Sequence, residues 1–306
     1  MLAAAVAALA LAGTTDSARP PSLLTFAIVH ASRGAVDPNG GICIARADGS
    51  HGTRLSRGAD SSPSWSPNGR LLAFARRSAT GSKIVIADAA GHVLRRFGDA
   101  AVNIDPAWSP DGRRLAYAAG PPSPRIVVAG VRGRTLLQLA AQGSVERPAW
   151  SPNGRRIAFA ERLEPELPGQ IGTSRIVIAG VGGGGRQVVA GRAADPAWSP
   201  DGSKLAYVTY RLRFAETGDI AVSNADGSNP RQLSTTPVDE SGPSWSPDGK
   251  RIAFARAATP YDSIVVAAAD GSGERVAVAS PSYGAFDPAW RRPVALPRAR
   301  RAPCSP

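Results

Sequence analysis

The apolar residues of this chain fall into short runs that are separated by turns rich in Pro, Asp, Asn and Gly, and the runs recur in a fixed order. In each repeat a run ending in Trp comes first, and a Leu/Ile-Ala-Phe/Tyr run follows it after a Ser-Pro-Asp/Asn-Gly turn. The third run is continuous in Ile, Val and Ala, as in residues 84–87, and the fourth is short and polar. Such runs are typical of β-strands, and a continuous one indicates burial on both faces. The pattern predicts an all-β fold with four strands per repeat.

Tryptophan marks the repeat. All six tryptophans of the chain occupy the same slot, after Pro-Ala or Pro-Ser: Trp65, Trp108, Trp150, Trp198, Trp245 and Trp290. Consecutive members lie 42 to 48 residues apart, which matches the period of about 40 to 50 residues found in four-stranded propeller blades. We expect these side chains to be structural and to anchor successive blades.

The two ends of the repeat region complement each other. Ahead of Trp65 the chain supplies the second, third and fourth strands of a blade, and residues 287–291 supply a first strand without partners. Pairing the two ends leaves no long unpaired edge. The sequence therefore predicts a six-bladed β-propeller over residues 20–293, with a clasp in which the C-terminal inner strand pairs with the N-terminal strands. Residues 1–19 are predicted to be a signal peptide and leader, and residues 294–306 a basic Pro/Arg tail.

The repeat Pro-x-Trp-Ser-Pro-Asp-Gly-x-x-Leu/Ile-Ala-Phe/Tyr, followed by Ile-x-Val-x-x-Ala-Asp-Gly-Ser, resembles the propeller repeat of TolB, the periplasmic protein of the Tol-Pal envelope system. The resemblance covers about residues 22–292. It implies the propeller fold strongly and the function less so, because similar repeats occur in many exported proteins and beside the catalytic domains of prolyl oligopeptidase-like enzymes. TolB itself has an additional amino-terminal α/β domain, and we expect the propeller here without it.

Residues 1–12 form an apolar run that ends in a small-x-small cleavage pattern. We read it as a secretory signal whose charged start is missing, so that the protein is exported to the periplasm or beyond; the alternative is an unstructured alanine-rich tail. The run is shorter than the roughly 20 residues that span a bilayer. We expect no transmembrane segment beyond the signal.

Charge and cysteine content narrow the classes of partner. The formal net charge of +12 would suit an acidic partner. The Arg, Ala and Gly bias is even along the chain, however, which is typical of a GC-rich genome, and we expect no nucleic-acid partner. Cys43 and Cys304 are the two cysteines, too few for a disulfide framework or a cysteine-rich zinc site. We expect Cys43 to be a small buried hydrophobe and leave its pairing with Cys304 open.

Candidate binding residues lie three positions before each tryptophan, where the inner strand is expected to enter near the channel. In order they are Ser62, Asp105, Arg147, Asp195, Gly242 and Asp287. The aspartates fall on alternate blades and are predicted to face one exposed, locally acidic opening that receives a basic peptide segment, with the arginines of the turns on the opposite side. Such a triad of carboxylates could instead hold a hard cation such as Ca²⁺ in the channel, but Ca²⁺ needs six or more oxygen ligands, so we predict no metal or other cofactor. The competing interpretation is that Asp before Pro makes only a local turn.

Two long connections, residues 162–174 and 210–218, are predicted at the same mouth and either bind a partner or pack on themselves. No nucleophile elbow, phosphate-binding loop or zinc-protease motif is present, and the three histidines share no repeat slot. The leading hypothesis is an exported, monomeric, non-catalytic scaffold that binds a protein or cell-envelope partner. The alternative is a propeller enzyme, a polysaccharide lyase or hydrolase, with axial carboxylates.

Overall fold

A computed structural model describes residues 23–29, 40–48, 50, 52–164, 173–210, 217–258, 262–279 and 284–291. The predicted signal, the C-terminal tail with Cys304, and most of the two long connections lie outside these residues. The described residues form strands, turns and bends without helix. None of them belongs to a helix that is long and apolar enough to cross a bilayer.

Among these residues, twenty-four strands form six antiparallel sheets of four strands each, and the predicted six-bladed β-propeller is confirmed. The inner strands are β4 (Asp60–Trp65), β8 (Asn103–Trp108), β12 (Ser144–Trp150), β16 (Ala193–Trp198), β20 (Glu240–Trp245) and β24 (Gly284–Arg291). The second strands are β1 (Leu23–Val29), β5 (Leu71–Ser78), β9 (Arg114–Ala119), β13 (Arg156–Arg162), β17 (Lys204–Tyr210) and β21 (Arg251–Arg256).

The third strands are β2 (Gly41–Arg46), β6 (Gly81–Asp88), β10 (Arg125–Gly130), β14 (Ser174–Gly180), β18 (Gly218–Asn224) and β22 (Ser263–Ala268). The outer strands are β3 (Thr53–Arg54), β7 (Val93–Phe97), β11 (Thr135–Ala140), β15 (Gln187–Gly191), β19 (Arg231–Gln232) and β23 (Arg275–Val278). Blades 1 to 5 take four consecutive strands each, starting with β4, β8, β12, β16 and β20. Blade 6 has the order β24-β1-β2-β3 and so contains both ends of the described chain.

The core is divided among the blade interfaces. Six hydrophobic clusters are present among the described residues, and each spans two adjacent blades. Between blades 2 and 3, for example, Ile126 and Val128 of β10 pack with Trp150 and Phe159. The second and third strands are sandwiched between neighbouring blades, which explains why their apolar runs are continuous.

Each tryptophan links its blade to the preceding one by a hydrogen bond as well as by packing. The indole N–H of Trp150 donates to the carbonyl of Ala107 at 3.2 Å, and equivalent bonds of 3.0 to 3.2 Å join Trp108, Trp198, Trp245 and Trp290 to the inner strand before them. At the junction of blades 6 and 1 the partner differs: Trp65 donates to Oγ1 of Thr25 at 2.6 Å. Arg291 reinforces this junction, because its buried guanidinium lies over the Trp65 ring and donates to the carbonyl of Gly69.

The turn after each tryptophan is closed by its own side chains. In blade 4 the hydroxyl of Ser199 donates to Oδ1 of Asp201 and accepts the N–H of Lys204. Asp201 accepts the N–H and hydroxyl of Ser203 as well, and these bonds lower the pKa of Asp201 to about 2. Blades 1 and 3 carry Asn in place of this Asp and keep the same bonds. The Asp of the turn is therefore structural.

Cys43 is buried in β2, as expected for a small hydrophobe, but its sulfur is part of a disulfide. The chain has one other cysteine, Cys304, which lies outside the described residues.

Candidate functional site

The six residues three positions before the tryptophans share an unusual backbone conformation. Every one has a positive φ of 52° to 59°, and each is followed by Pro. Pro cannot donate to a strand ladder, and the pairing of the inner and second strands shifts register at this point in every blade. The result is a β-bulge, which redirects a side chain away from the regular strand positions. The repeat thus turns six side-chain positions toward the axis of the ring.

These six residues, which we call the axial ring, form one hydrogen-bonded system. Each aspartate accepts the backbone N–H of the ring residue on the next blade: Asp287 from Ser62 at 2.9 Å, Asp105 from Arg147 at 3.0 Å, and Asp195 from Gly242 at 2.8 Å. The aspartates, which accept hydrogen bonds, therefore alternate around the axis with residues whose backbone N–H groups donate them.

Arg147 is the cation of the ring. Its guanidinium lies 2.5 Å from Oδ1 of Asp287, 3.6 Å from Oδ1 of Asp195 and 3.9 Å from Oδ1 of Asp105. Burial lowers the pKa of Arg147, but the three carboxylates outweigh it and hold that pKa well above its ordinary value. A single charged side chain thus reaches aspartates from three different blades.

The ring is incomplete at one position. The side chain of Ser62 donates to Asp105 at 2.6 Å and to Asp287 at 3.3 Å, which bridges two aspartates. Arg147 reaches Asp105, Asp195 and Asp287 as ion pairs, whereas Gly242 has no side chain to place between Asp195 and Asp287. A Cβ built at Gly242 meets nothing closer than Cδ of Pro288 at 3.6 Å. A Cβ therefore fits there in ordinary van der Waals contact, and we call the position that this missing side chain leaves the gap beside Gly242.

Asp195 borders this gap, and its environment disfavours the charged form. Burial raises the pKa of Asp195, the nearby carboxylates of Asp287 and Asp105 raise it further, and Arg147 with the Gly242 N–H offsets only part of the effect. Glu146, which precedes Arg147, shows the same behaviour: burial raises its pKa first, and Asp195 and Asp105 add to the shift. Sequence reasoning missed Glu146, although its place next to a ring position was a usable signal.

The axial ring closes one end of a central cavity of about 610 Å³. The prolines after the ring residues and five of the six tryptophans, all but Trp108, line its wall, and the prolines of the Ser-Pro turns line its far end. The cavity therefore runs along the propeller axis between the two faces, with its ionised groups concentrated at the ring.

The ring differs from the predicted open mouth. Asp105 and Asp287 are buried, each about 8% exposed, and the expectation of exposed carboxylates is wrong because the bulge directs them inward, where backbone N–H groups and Arg147 hold them. The turn arginines are not all free surface charges either: Arg114 lies over the Trp150 ring and Arg251 over the Trp290 ring. Among the described residues, no group of three or more His, Cys, Asp or Glu side chains is arranged to hold a metal ion.

Comparison with known proteins identifies the repeat. A family model described as the TolB beta propeller domain matches residues 26–293. The fold is similar to the crystal structure of TolB from Acinetobacter baumannii, with a TM-score of 0.73 and 21% identity over 89% of this chain and 67% of that one. It is also similar to the structure of putative TolB from Agrobacterium tumefaciens, with a TM-score of 0.64 and 15% identity over 91% of this chain and 99% of that one.

A third similar structure is an oligogalacturonate lyase in complex with manganese, with a TM-score of 0.51 and 15% identity over 86% of this chain and 75% of that one. A search of curated protein sequences found no match. At these identities the similar structures show a shared fold and nothing about a shared ligand.

Proposed function

Because this chain belongs to the TolB beta propeller domain family, we propose that it is an exported, non-catalytic scaffold that binds a protein or cell-envelope partner at the axial ring. The partner presents a basic side chain, which enters the gap beside Gly242. The observation that carries the proposal is the charge of the ring, in which, within the part of the chain that the structure describes, Asp105, Asp195 and Asp287 share Arg147 as their one cation.

Three carboxylates and one guanidinium leave two formal negative charges in a largely buried site. Two unit charges about 4 Å apart attract by roughly 4 kcal/mol at an effective dielectric constant of about 20. Buried charges without partners are costly, so a second cation would be held strongly. Asp195 lies 3.6 Å from the Arg147 guanidinium, too far for a hydrogen bond, and it borders the gap.

The gap limits the kind of group that fits. A lysine ammonium or an arginine guanidinium supplies several N–H donors and a positive charge, which suits the two formal negative charges of the ring. A basic side chain on an extended segment can reach the ring without opening the blades. The leading partner is therefore a polypeptide with a basic residue at an exposed turn or terminus.

The alternative function is a propeller enzyme acting on a polysaccharide. The pKa of Asp195, which burial raises above its ordinary value, favours it, because a raised pKa makes a carboxyl a better candidate for a general acid. Against it, each aspartate of the ring already accepts a backbone N–H, which ties the carboxylates to the fold. Release of reducing ends from oligosaccharides by the wild type, lost in Asp195→Asn, would favour the enzyme.

The test of the scaffold function is affinity capture from envelope extracts, with the partner identified by mass spectrometry and then measured as a purified protein. The double variant Asp195→Asn/Asp287→Asn keeps the shapes of the side chains and removes both charges at the gap. We expect it to bind the partner at least about tenfold more weakly, and we expect wild-type binding to weaken as salt is raised, as for electrostatic association.

The matched control is Asp201→Asn/Asp248→Asn, which removes the same charge from the turns at the other end of the inner strands. Asn occupies this turn position naturally at Asn68 and Asn153, so the control is expected to fold normally. Equal loss of binding in both variants would show that net charge, and not the axial ring, governs the interaction. Near-ultraviolet circular dichroism checks that both variants keep their tertiary packing.

A further inference from the structure

The outer edge of blades 1 and 2 carries a patch that the axial ring does not explain. Strand β7 reads Val-Leu-Arg-Arg-Phe, and its first four residues are exposed. The turn between β10 and β11 contributes Arg132 and Arg134, which are exposed as well. We call the set Val93, Leu94, Arg95, Arg96, Arg132, Arg134 and Leu136 the rim patch.

The end of β7 and the turn of blade 2 are adjacent because the two blades touch at Gly133. A Cβ built at Gly133 lies 2.9 Å from Cβ of Phe97, the last residue of β7, and the φ of Gly133 is +86°. A residue without a side chain is thus required where the turn of blade 2 meets the outer strand of blade 1. This contact places the two arginines that flank Gly133 beside the end of β7.

The arginines of the rim patch differ from those on the other outer edges. Arg186 pairs with Glu161, Arg231 donates to the carbonyl of Asp270, and Arg275 donates to the carbonyl of Ala47. Among the described residues, no carboxylate forms an ion pair with Arg95, Arg96, Arg132 or Arg134. The nearby Asp99 is paired with Arg125, and Asp88 is bonded to His92.

The rim patch also concentrates exposed aliphatic side chains. Leu94 is 54% and Leu136 is 53% exposed. Each lies at a register shift of its outer strand, so neither is opposite a residue of the third strand. Of the seven large hydrophobic side chains exposed in the described part of the chain, Val93, Leu94 and Leu136 belong to the patch, and Val102 follows β7.

We propose that the rim patch binds the surface of an anionic lipid bilayer. Unpaired arginines attract anionic headgroups, while exposed aliphatic side chains insert at the boundary between headgroups and acyl chains. A soluble polyanion would use the arginines and leave the leucines in water. Addition of a partner strand to β7 or β11 is disfavoured, because bulges and charged side chains on an edge strand oppose strand pairing.

The experiment measures co-sedimentation of the full chain with vesicles of phosphatidylcholine alone and of phosphatidylcholine with phosphatidylglycerol. We expect binding to the anionic vesicles and little to the neutral ones. The variant Arg95→Gln/Arg96→Gln/Arg132→Gln/Arg134→Gln should bind the anionic vesicles about tenfold or more weakly, since each basic residue near an anionic surface adds to binding.

The matched control is Arg70→Gln/Arg113→Gln/Arg155→Gln/Arg156→Gln, which removes the same charge from four exposed turn arginines. If this control loses as much vesicle binding as the rim variant, the net charge of the protein explains the binding and the proposal is wrong. The variant Leu94→Gln/Leu136→Gln should also weaken vesicle binding while leaving heparin binding unchanged. Undiminished vesicle binding in the leucine variant would overturn the proposal in favour of a site for soluble polyanions.

Discussion

At the scale of single residues, Asp195 sits where the fold disfavours its charge. Its pKa in the folded protein is raised above the ordinary 3.8, chiefly by burial. A carboxyl with a raised folded-state pKa contributes stability that is fully present below its unfolded pKa and is lost as the pH rises through the folded-state pKa. An amide at this position does not titrate.

We therefore expect the melting temperature of Asp195→Asn, relative to the wild type, to increase as the pH is raised from about 3.5 to about 7. Thermal unfolding followed by circular dichroism across this range measures the difference. A difference that is constant with pH, or that shrinks as the pH rises, would contradict the assigned direction of the pKa shift.

Gly242 offers a second test at this scale. Ser62 occupies the equivalent position of blade 1 with nearly the same φ, and its hydroxyl bridges two aspartates. Gly242→Ser should place a hydroxyl between Asp195 and Asp287, fill the gap, and reduce binding of the captured partner while the protein stays folded. The measurement is partner affinity together with the melting temperature.

The control is Gly249→Ser, in the turn at the other end of β20. Gly249 has a positive φ of 69°, and a Cβ built there meets Cδ of Pro200 at 3.6 Å, the same clearance as at Gly242. Both substitutions carry the cost of a side chain in this conformation, about 1 kcal/mol. Loss of binding in Gly249→Ser alone would place the partner on the other face.

At the scale of strands and blades, stability depends on the tryptophan that joins each inner strand to its neighbour. Trp150 is buried, packs in the cluster between blades 2 and 3, and donates to the carbonyl of Ala107. Trp150→Ala should lower the free energy of unfolding by roughly 3 to 5 kcal/mol, the usual cost of deleting a large buried aromatic side chain. Urea unfolding measures this loss.

Val276→Ala on β23 is the control, because Val276 is 56% exposed and exposed substitutions change stability by no more than about 0.5 kcal/mol. If Trp150→Ala is as stable as this control, the tryptophans line the central cavity and do not stabilise the interfaces between blades.

At the scale of the whole molecule, closure depends on blade 6. Strand β24 pairs with β1 from Arg291 opposite Leu23 to Gly284 opposite Val29. Arg291 then reaches the carbonyl of Gly69 in blade 1. A chain that ends before Gly284 should leave β1 unpaired along one edge and aggregate, since long open edges promote association. Size-exclusion chromatography with light scattering detects the change.

The control truncation removes residues 294–306 and keeps β24, and because it also removes Cys304 it is compared with the full-length variant Cys304→Ser. It should remain monomeric, and it also tests the predicted boundary of the propeller at residue 293. Identical behaviour of the two truncated proteins would show that the ring does not depend on β24 for its closure.

The sequence alone determined the propeller and its blade number, because strand patterning and turn chemistry are local properties that repeat. The tryptophan period, the Ser-Pro-Asp/Asn-Gly turns and the incomplete blades at the two ends were sufficient for the fold. The same period placed six residues at equivalent positions of the ring, which is how Asp105, Asp195 and Asp287 were identified together.

Only the tertiary structure decided what those residues do to one another. Their separation in sequence does not show that the bulge turns them inward, or that Arg147 reaches aspartates on three blades, because both depend on the diameter of the closed ring. The rim patch has the same origin: Arg132 and Arg134 are far from Arg95 in sequence, and only the packing of Gly133 on Phe97 brings them together. Charge accumulates in the axial ring and in the rim patch because the closed propeller brings residues of different blades together. The spacing of these residues in the sequence is set by the length of the blade repeat.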